Sequence, residues 1–327
     1  MSQWLLDVRG LNVSFPTLDG ESKPVNDVVF RLKQGGIHGL IGESGSGKSV
    51  LAAAVLGLLP EHSNVNVDFF QWKGRSLINA DGSLQVDEIR KHAALIFQDP
   101  IQSLDPLKTI GEQFYEHIQA KHPKMTAQQL KEKSHALLDD VGLPHDESLL
   151  KAFPRQLTEG TAQRVAIANA IAMEPQLLIA DEATTNLDMM LERQMLNLLQ
   201  TIHRRLDTTM LIITHDFGLL KKLTDITYVM YCGHLVEEGP TNEIIEHPYH
   251  PYTRALVNSS QRSFDKSYRL QEVPTLPGTI PALTQLPPGC PLGPRCHRAG
   301  RPCSQMPTYT VEGERSYRCH FPIEYRP

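Results

Sequence analysis

Eight consecutive residues, Gly42-Glu43-Ser44-Gly45-Ser46-Gly47-Lys48-Ser49, have the types and spacing of a phosphate-binding loop. Glycines let successive backbone N–H groups close round phosphate oxygens, and a helix started at the last residues adds the positive end of its dipole. In that arrangement the Lys48 ammonium reaches the β- and γ-phosphates of a nucleotide and the Ser49 hydroxyl ligates Mg2+. A second run, Leu177-Leu-Ile-Ala-Asp181-Glu182, is an apolar strand that ends in two carboxylates. Asp181 is expected to hold Mg2+, directly or through water, and Glu182 to polarise an attacking water. An Asp-Glu pair alone is more often a solvated strand end. A complete phosphate loop upstream changes that reading.

Such groups need a frame that ends in the right places. Ile37-His-Gly-Leu-Ile41 is a short, mostly apolar run leading into Gly42, and Val50 to Leu59 follows as an Ala/Leu-rich helix. Ala93–Phe97, Gln176–Ala180 and Met210–Thr214 are further buried-strand candidates, and Thr227–Tyr231 reads as a strand entering the turn Cys232-Gly233. Leu5–Arg9 and Leu11–Phe15 suit two short strands, whereas Ile110 to Val141 is polar and helical in period and reads as a helical insertion. Strands alternating with helices round a phosphate loop imply a mostly parallel, covered sheet whose carboxyl edge binds the ligand.

Composition bounds the remaining possibilities. The chain has 327 residues, 40% hydrophobic and 21% charged, with a formal charge of −5. That balance suits a folded α/β domain plus something smaller and disfavours nucleic acid as a partner. No apolar run approaches the ~18 residues of a spanning helix, and the start, MSQWLLDVRG, lacks a secretory signal pattern. A cytoplasmic protein is expected, with any membrane role exerted through a partner.

With further motifs the chain resembles the ATPase subunits of ABC transporters over essentially its whole length. Phe15 falls where that family places an aromatic that stacks on adenine. Gln98, in Leu95-Ile-Phe-Gln98-Asp-Pro, matches the glutamine that senses Mg2+ and faces the membrane partner. Asp188, in Thr185-Asn-Leu-Asp188, matches a loop aspartate, and His215, in Ile213-Thr-His215-Asp, the histidine that contacts the γ-phosphate. The resemblance implies an α/β P-loop ATPase domain over residues 1–250. It would have an antiparallel N-terminal β part, a mostly parallel sheet and a helical subdomain at about 100–165. It also implies pairing with a second ATPase subunit as a heterodimer on two membrane permeases, with a periplasmic binding protein, at the cytoplasmic face of the inner membrane.

The tail narrows the group. Residues 251–327 form a Pro/Cys-rich extension; from Pro248 onward lie 13 of the 23 prolines. His247-Pro-Tyr-His-Pro-Tyr-Thr-Arg-Ala-Leu256, Leu276-Pro-Gly and Gly289-Cys-Pro-Leu-Gly-Pro-Arg-Cys296 are similar to the C-terminal region of dipeptide and oligopeptide importer ATPases. The Sap-type branch, associated with antimicrobial-peptide resistance, is the most similar. A segment so rich in proline cannot bury a conventional core, and Cys290, Cys296, Cys303 and Cys319 offer a staple. Four thiolates can hold a [4Fe–4S] cluster or Zn2+, or stay free. Zinc sites commonly use closer cysteine pairs than these gaps allow, and the family resemblance also favours iron–sulfur. Cys232 stands apart and reads as a small buried residue.

One departure matters. The family's signature loop runs close to Leu-Ser-Gly-Gly-Gln, and here it is Leu157-Thr158-Glu159-Gly160-Thr161. In the family this loop grips the γ-phosphate of ATP held by the opposite subunit, through a hydroxyl and glycine amides. Thr158 keeps a hydroxyl, but Glu159 places a carboxylate where a glycine is usual. At ~4 Å a like-charge pair costs about 1 to 4 kcal/mol, depending on screening. A sound phosphate loop and a weak signature half are therefore expected. Two other readings remain open: a regulatory ATP-binding subunit, encouraged by Glu159 and opposed by Glu182 and His215, and a soluble non-transport ABC ATPase, opposed by the tail.

Overall fold

The computed structural model describes residues 3–18, 20–183, 189–261 and 276–324. The chain divides into two compact units, Met1–Val86 with Ile212–Pro327, and Asp87–Leu211.

The first unit opens with two long antiparallel strands, β1 (Trp4–Thr17) and β2 (Gly20–Lys33). Their register sets Leu6 opposite Leu32, Val8 opposite Phe30, Leu11 opposite Val28 and Val13 opposite Val25, and all eight are buried. Burying one such side chain is worth ~1.5–3 kcal/mol, so these cross-strand pairs fix the hairpin. The two short strands expected from the sequence are one strand. Gly10 lets it pass through φ +66, beside the Asp68 carboxylate and where the register shifts, a conformation and a clearance no side chain would permit. Next come β3 (Ile37–Ile41), wholly buried, and α1 (Lys48–Leu56). The helix stops earlier than its Ala/Leu pattern suggests because Gly57 turns left-handed. Its N–H bonds to Ala54 O at 3.1 Å, and the Leu58 N–H bonds to Ala53 O at 2.8 Å, which closes the carbonyl end. Three short strands, β4 (Asn64–Asn66), β5 (Phe69–Trp72) and β6 (Arg75–Ser76), complete a sheet of order β2-β1-β5-β6, with β4 also on β1.

The second unit runs α2 (Asp87–Arg90), β7 (Ala93–Ile96), α3 (Ile110–Lys121), α4 (Ala127–Asp140), α5 (Glu147–Lys151), α6 (Glu159–Ala172), β8 (Leu177–Asp181) and α7 (Met189–Leu206), and ends within β9 (Thr209–Thr214). The strands β7 and β8 are parallel, with Ile96 opposite Ala180. The helical insertion is divided between α3 and α4 because Pro123 pulls His122 out of the helical region, at φ −128 and ψ 70. Each helix then starts on its own capping box, Thr109 with Glu112 and Thr126 with Gln129. Ile110, Phe114, Ile118, Leu138, Val165 and Ile167 are buried in this unit.

The chain returns to the first unit with α8 (Phe217–Leu223), β10 (Ile226–Tyr231), β11 (His234–Pro240), α9 (Thr241–Glu246) and α10 (Pro251–Gln261). The proline-rich tail ends in a hairpin, β12 (Thr310–Glu312) and β13 (Arg315–Tyr317). In this unit the strand order is β12-β13-β11-β10-β3, parallel only between β10 and β3. Ion pairs and ring contacts, rather than thiols, tie the tail to this unit. The buried Glu237 carboxylate accepts from Arg315 at 2.9 Å and from the N–H groups of Tyr249 and His250 at 2.7 and 2.9 Å. The Arg315 guanidinium lies 3.8 Å over the Tyr249 ring and that of Arg318 lies 4.4 Å over Tyr309. Among the described residues no helix is long and apolar enough to cross a membrane.

Two histidines of the first unit are buried as neutral rings. Burial holds His250 down to about 3; burial, then the Arg318 charge, hold His234 down to about 4. The unfolded chain takes up protons near pH 6.5 that the folded chain refuses, so stability is full above that pH and drains as pH falls toward 4. Each histidine should contribute a slope approaching about 1.4 kcal/mol per pH unit in that window. Urea denaturation at stepped pH checks this, and His250→Gln should flatten the slope.

Candidate functional site

In the first unit β3 delivers the chain into the phosphate loop and α1 carries it away. Gly45 and Gly47 take φ +78 and +108, which wraps the loop. A side chain at Gly47 would strike the Pro24 carbonyl oxygen, and one at Gly42 the Met230 carbonyl oxygen. The Gly233 N–H donates to Ser46 O at 2.9 Å, so the β10–β11 turn braces the loop from behind. Lys48 is buried and folds back on the loop, donating to the carbonyl oxygens of Gly42 at 2.9 Å and Glu43 at 3.0 Å. The Ser46 hydroxyl is buried without a hydrogen-bond partner, and no side chain caps the start of α1. Unmet donors, a buried cation and a backbone that excludes any Cβ make a cradle that fits a phosphate chain. Ser49 is exposed on the first turn of the helix, and Ser44 and Gly45 are exposed at the loop's tip.

Phe15 sits half-buried near the end of β1, with its ring centroid 6.2 Å from that of the exposed His62. No sequence motif marks His62. His215 is exposed just past β9, held between Thr214, whose hydroxyl accepts from the Asp216 N–H at 3.1 Å, and Asp216, which caps α8 through the Gly218 N–H at 2.7 Å. Tyr252 and Arg295, from α10 and the tail, also contact this loop. The Tyr252 hydroxyl accepts from the Glu43 N–H at 2.8 Å, and Arg295 lies 3.4 Å from the Glu43 carboxylate. Sequence reasoning quoted both residues within tail motifs but assigned them no role.

The second unit carries the rest. Asp181 ends β8, and Glu182 follows at φ +49, a strained left-handed conformation for a residue with a side chain. The next residue, Ala183, is buried and its carbonyl oxygen accepts from Gln163 at 2.9 Å, which fixes the backbone just beyond Glu182. Gln98 is exposed two residues after β7, in a loop where Phe97, Ile101 and Leu107 are 47%, 39% and 86% exposed. Thr158 caps α6, its hydroxyl accepting from the Thr161 N–H at 3.4 Å. Glu159 is exposed in the first helical turn, where an acidic residue suits the dipole. A Cβ at Gly160 would meet nothing within 4 Å. Asp188 lies outside the described residues. A cavity of about 150 Å³ lined by Leu137, Ile171, Ile202 and Leu206 involves none of the residues singled out from the sequence.

The four tail thiols are half-buried. Burial pushes Cys290, Cys296 and Cys319 up, Cys319 to about 12, and the neighbouring thiols add to each rise. The Cys290 N–H donates to Cys303 O at 2.9 Å. Yet among the described residues no three His, Cys, Asp or Glu side chains form a group that could hold a metal ion. The expected [4Fe–4S] or Zn2+ site is therefore not formed in this arrangement. Cys232 is fully buried, and burial raises its thiol to about 11, as suits a small core residue.

Comparison with known proteins adds the following. The ABC transporter family description matches residues 25–185, and that of the oligopeptide/dipeptide transporter C-terminal region matches residues 236–303. The chain is 37% identical over 323 residues to the peptide transport system ATP-binding protein SapD of Salmonella typhimurium, covering 98% of each. It is 38% identical to the dipeptide transport ATP-binding protein DppD of Haemophilus influenzae, covering 98% of this chain and 96% of that one. Among solved structures, cbiO1 of Clostridium perfringens, part of the ABC transporter complex cbiONQ, is 25% identical. It superposes with a TM-score of 0.61 over 75% of this chain and 92% of that one.

If the cradle is the phosphate site, Lys48→Ala should weaken binding of a fluorescent ATP analogue to the full-length chain at least tenfold, about 1.4 kcal/mol. Equilibrium titration with circular dichroism as a folding control checks it.

Proposed function

Because the chain belongs to the ABC transporter family, we propose that it binds and hydrolyses ATP as the motor subunit of a peptide-type transporter. The observation that carries this reading is the cradle at Gly42–Ser49, with buried Lys48 resting on two loop carbonyls that phosphate oxygens would replace. Phe15 stacks on the adenine, and Gly42 to Ser49 surround the phosphates. Mg2+, when bound, neutralises charge on the β- and γ-phosphates; Ser49, Asp181 and Gln98 are hard oxygen donors of the kind it takes. Glu182 orients the water and accepts its proton as the oxygen bonds to the γ-phosphorus; the bond to the β–γ bridging oxygen breaks and ADP leaves. His215 donates to the γ-phosphate and Asp188 supports the subunit contact, both by resemblance.

Partners follow from the same reading: a second ATPase subunit as a heterodimer, two membrane permeases and a periplasmic binding protein. The location is peripheral, on the cytoplasmic face of the inner membrane. The exposed Phe97, Ile101 and Leu107 around Gln98 supply an apolar patch suited to a permease contact. Peptides are the proposed cargo, since the tail region matches that of oligopeptide/dipeptide transporters, with an antimicrobial peptide a narrower option. Residues 251–327 are proposed as that extension, appended to the ATPase domain of residues 1–250.

Glu159 favours a second reading, in which one of the two composite ATP sites is regulatory. Gly160 needs no glycine for its own fold, so the use of a glycine there is close approach by something outside the chain, such as the partner's ATP. A carboxylate beside that γ-phosphate opposes a transition state that needs donors and positive charge. Glu182→Gln should then remove most activity of the assembled transporter, and the partner's equivalent substitution should remove less. Glu159→Gly should speed the weak site. Single-turnover hydrolysis by the two glutamate variants decides it; equal residual rates reject the asymmetry.

The thiol set is proposed to close on a [4Fe–4S] cluster, or on Zn2+, only when loaded. The half-burial of all four thiols and the hydrogen bond from the Cys290 N–H to Cys303 O support it. Raised thiol pKa values mean that ligation must displace protons, so zinc uptake by the metal-free chain should tighten as pH rises from about 6.5 to 8.5 and release protons. Brown, anaerobically purified protein with iron and acid-labile sulfide would favour the cluster; neither metal at stoichiometry would reject both.

A further inference from the structure

The phosphate loop contains a carboxylate that its chemistry does not ask for. Glu43 is its second residue, and its own carbonyl oxygen is where the Lys48 ammonium rests, at 3.0 Å. A free carboxylate there would repel phosphate and offer Lys48 an intramolecular anion in its place.

The tail answers that carboxylate. Arg295, 252 residues away in sequence, lies with Nη1 3.4 Å from the Glu43 Oε2. Its side chain is 9% exposed, against 31% for that of Glu43. The same guanidinium is fixed on its other sides. Nε donates to Pro277 O at 3.0 Å, Nη1 donates to the Tyr231 hydroxyl at 3.2 Å, and the group lies 5.9 Å from the Tyr231 ring centre. Tyr231 in turn packs on Tyr252, ring centroids 4.5 Å apart, and Tyr252 accepts from the Glu43 N–H. Glu43 is thus held at backbone and side chain by residues that follow the ATPase core.

We propose that Arg295 is a positioning residue for nucleotide: it neutralises Glu43 and keeps that carboxylate off Lys48, so the ammonium is available to the β- and γ-phosphates. The tail thereby supplies a charge that the loop lacks. This inference rests on the reading of Gly42–Ser49 as the nucleotide loop.

The test is equilibrium binding of a fluorescent ATP analogue with Mg2+ to the full-length chain, at low and high salt. Arg295→Gln keeps length and a donor but loses the charge. It should raise Kd about tenfold at low salt and by somewhat less at high salt, where the partly exposed Glu43 carboxylate is screened. Adding Glu43→Gln should restore Kd to within about threefold of the parent, since neutralising the carboxylate removes the need for the arginine. Arg295→Lys keeps the charge but not the fixed plane of donors, and should lose less affinity than Arg295→Gln. A purely structural role would not give rescue by a second charge removal. Unchanged affinity in folded Arg295→Gln, or a loss that Glu43→Gln fails to repair, overturns the proposal. Should Arg295→Gln not fold, Arg295→Lys and Arg295→Met decide: a smaller loss of affinity with the charged lysine than with the neutral methionine supports it, and equal affinity in the two overturns it. Binding lost in Lys48→Ala but unchanged in Arg295→Gln rejects this inference alone; binding unchanged in both rejects the loop reading beneath it.

Discussion

A buried ammonium that must be satisfied both without ligand and with it is the constraint on which the first unit depends. Leaving a cation unpaired in the interior costs several kcal/mol, so Lys48 cannot simply wait in a hole. It rests on the carbonyl oxygens of Gly42 and Glu43, acceptors that phosphate oxygens can replace one for one. The backbone turns there through left-handed glycines, and Pro24, Met230 and Gly233 close on that turn so tightly that Gly42 and Gly47 have no space for a side chain. The β1–β2 hairpin supplies the first of these, β10 the second and the turn after it the third. A register error in that hairpin would move Pro24 and fill or empty the cradle. The buried apolar pairs from Leu6 to Val25 are therefore part of the site's precision as well as the unit's stability.

In the second unit the comparable device is strain. Glu182 is held at φ +49 at the end of a four-residue buried run, costing roughly 1–3 kcal/mol. The carbonyl of Ala183 is tied to Gln163 on α6, the helix that Thr158 starts. The backbone just beyond Glu182 is thus fixed to the helix that begins at Thr158 and Glu159. A shift of α6 would be felt at Glu182 through one hydrogen bond.

What could be read from the sequence was what local spacing enforces. The phosphate loop, the strand before it and the carboxylates at the end of β8 are short patterns with few physical solutions. Boundaries were less legible. Gly10 joined two expected strands because a glycine can serve as a kink inside a strand as well as a break, and Gly57 ended α1 inside an apolar run that would otherwise continue. The tail was least legible. Its prolines argued against a core, and its cysteines drew attention because they are countable. The contacts that order it join Glu237 to Arg315, 78 residues on, and Glu43 to Arg295, and no periodicity marks such pairs.

Arginine is the residue suited to that second pairing. A lysine at 295 would bring one point charge on a flexible stem. The guanidinium presents donors in a fixed plane, so it can meet Pro277 O, the Tyr231 hydroxyl and the Glu43 carboxylate at once while its face lies toward an aromatic ring. Each contact comes from a different stretch of chain: tail, central strand and phosphate loop. Ordering one cation therefore orders three segments. The tail needs little apolar surface of its own near the loop, and Leu292, three residues before Arg295, is buried there beside it in sequence. A proline-rich segment that cannot build a core can still be held by the unit it serves, provided that its few fixed cations meet buried acceptors. The placement of Arg295 and Arg315 meets that condition at two points along the tail.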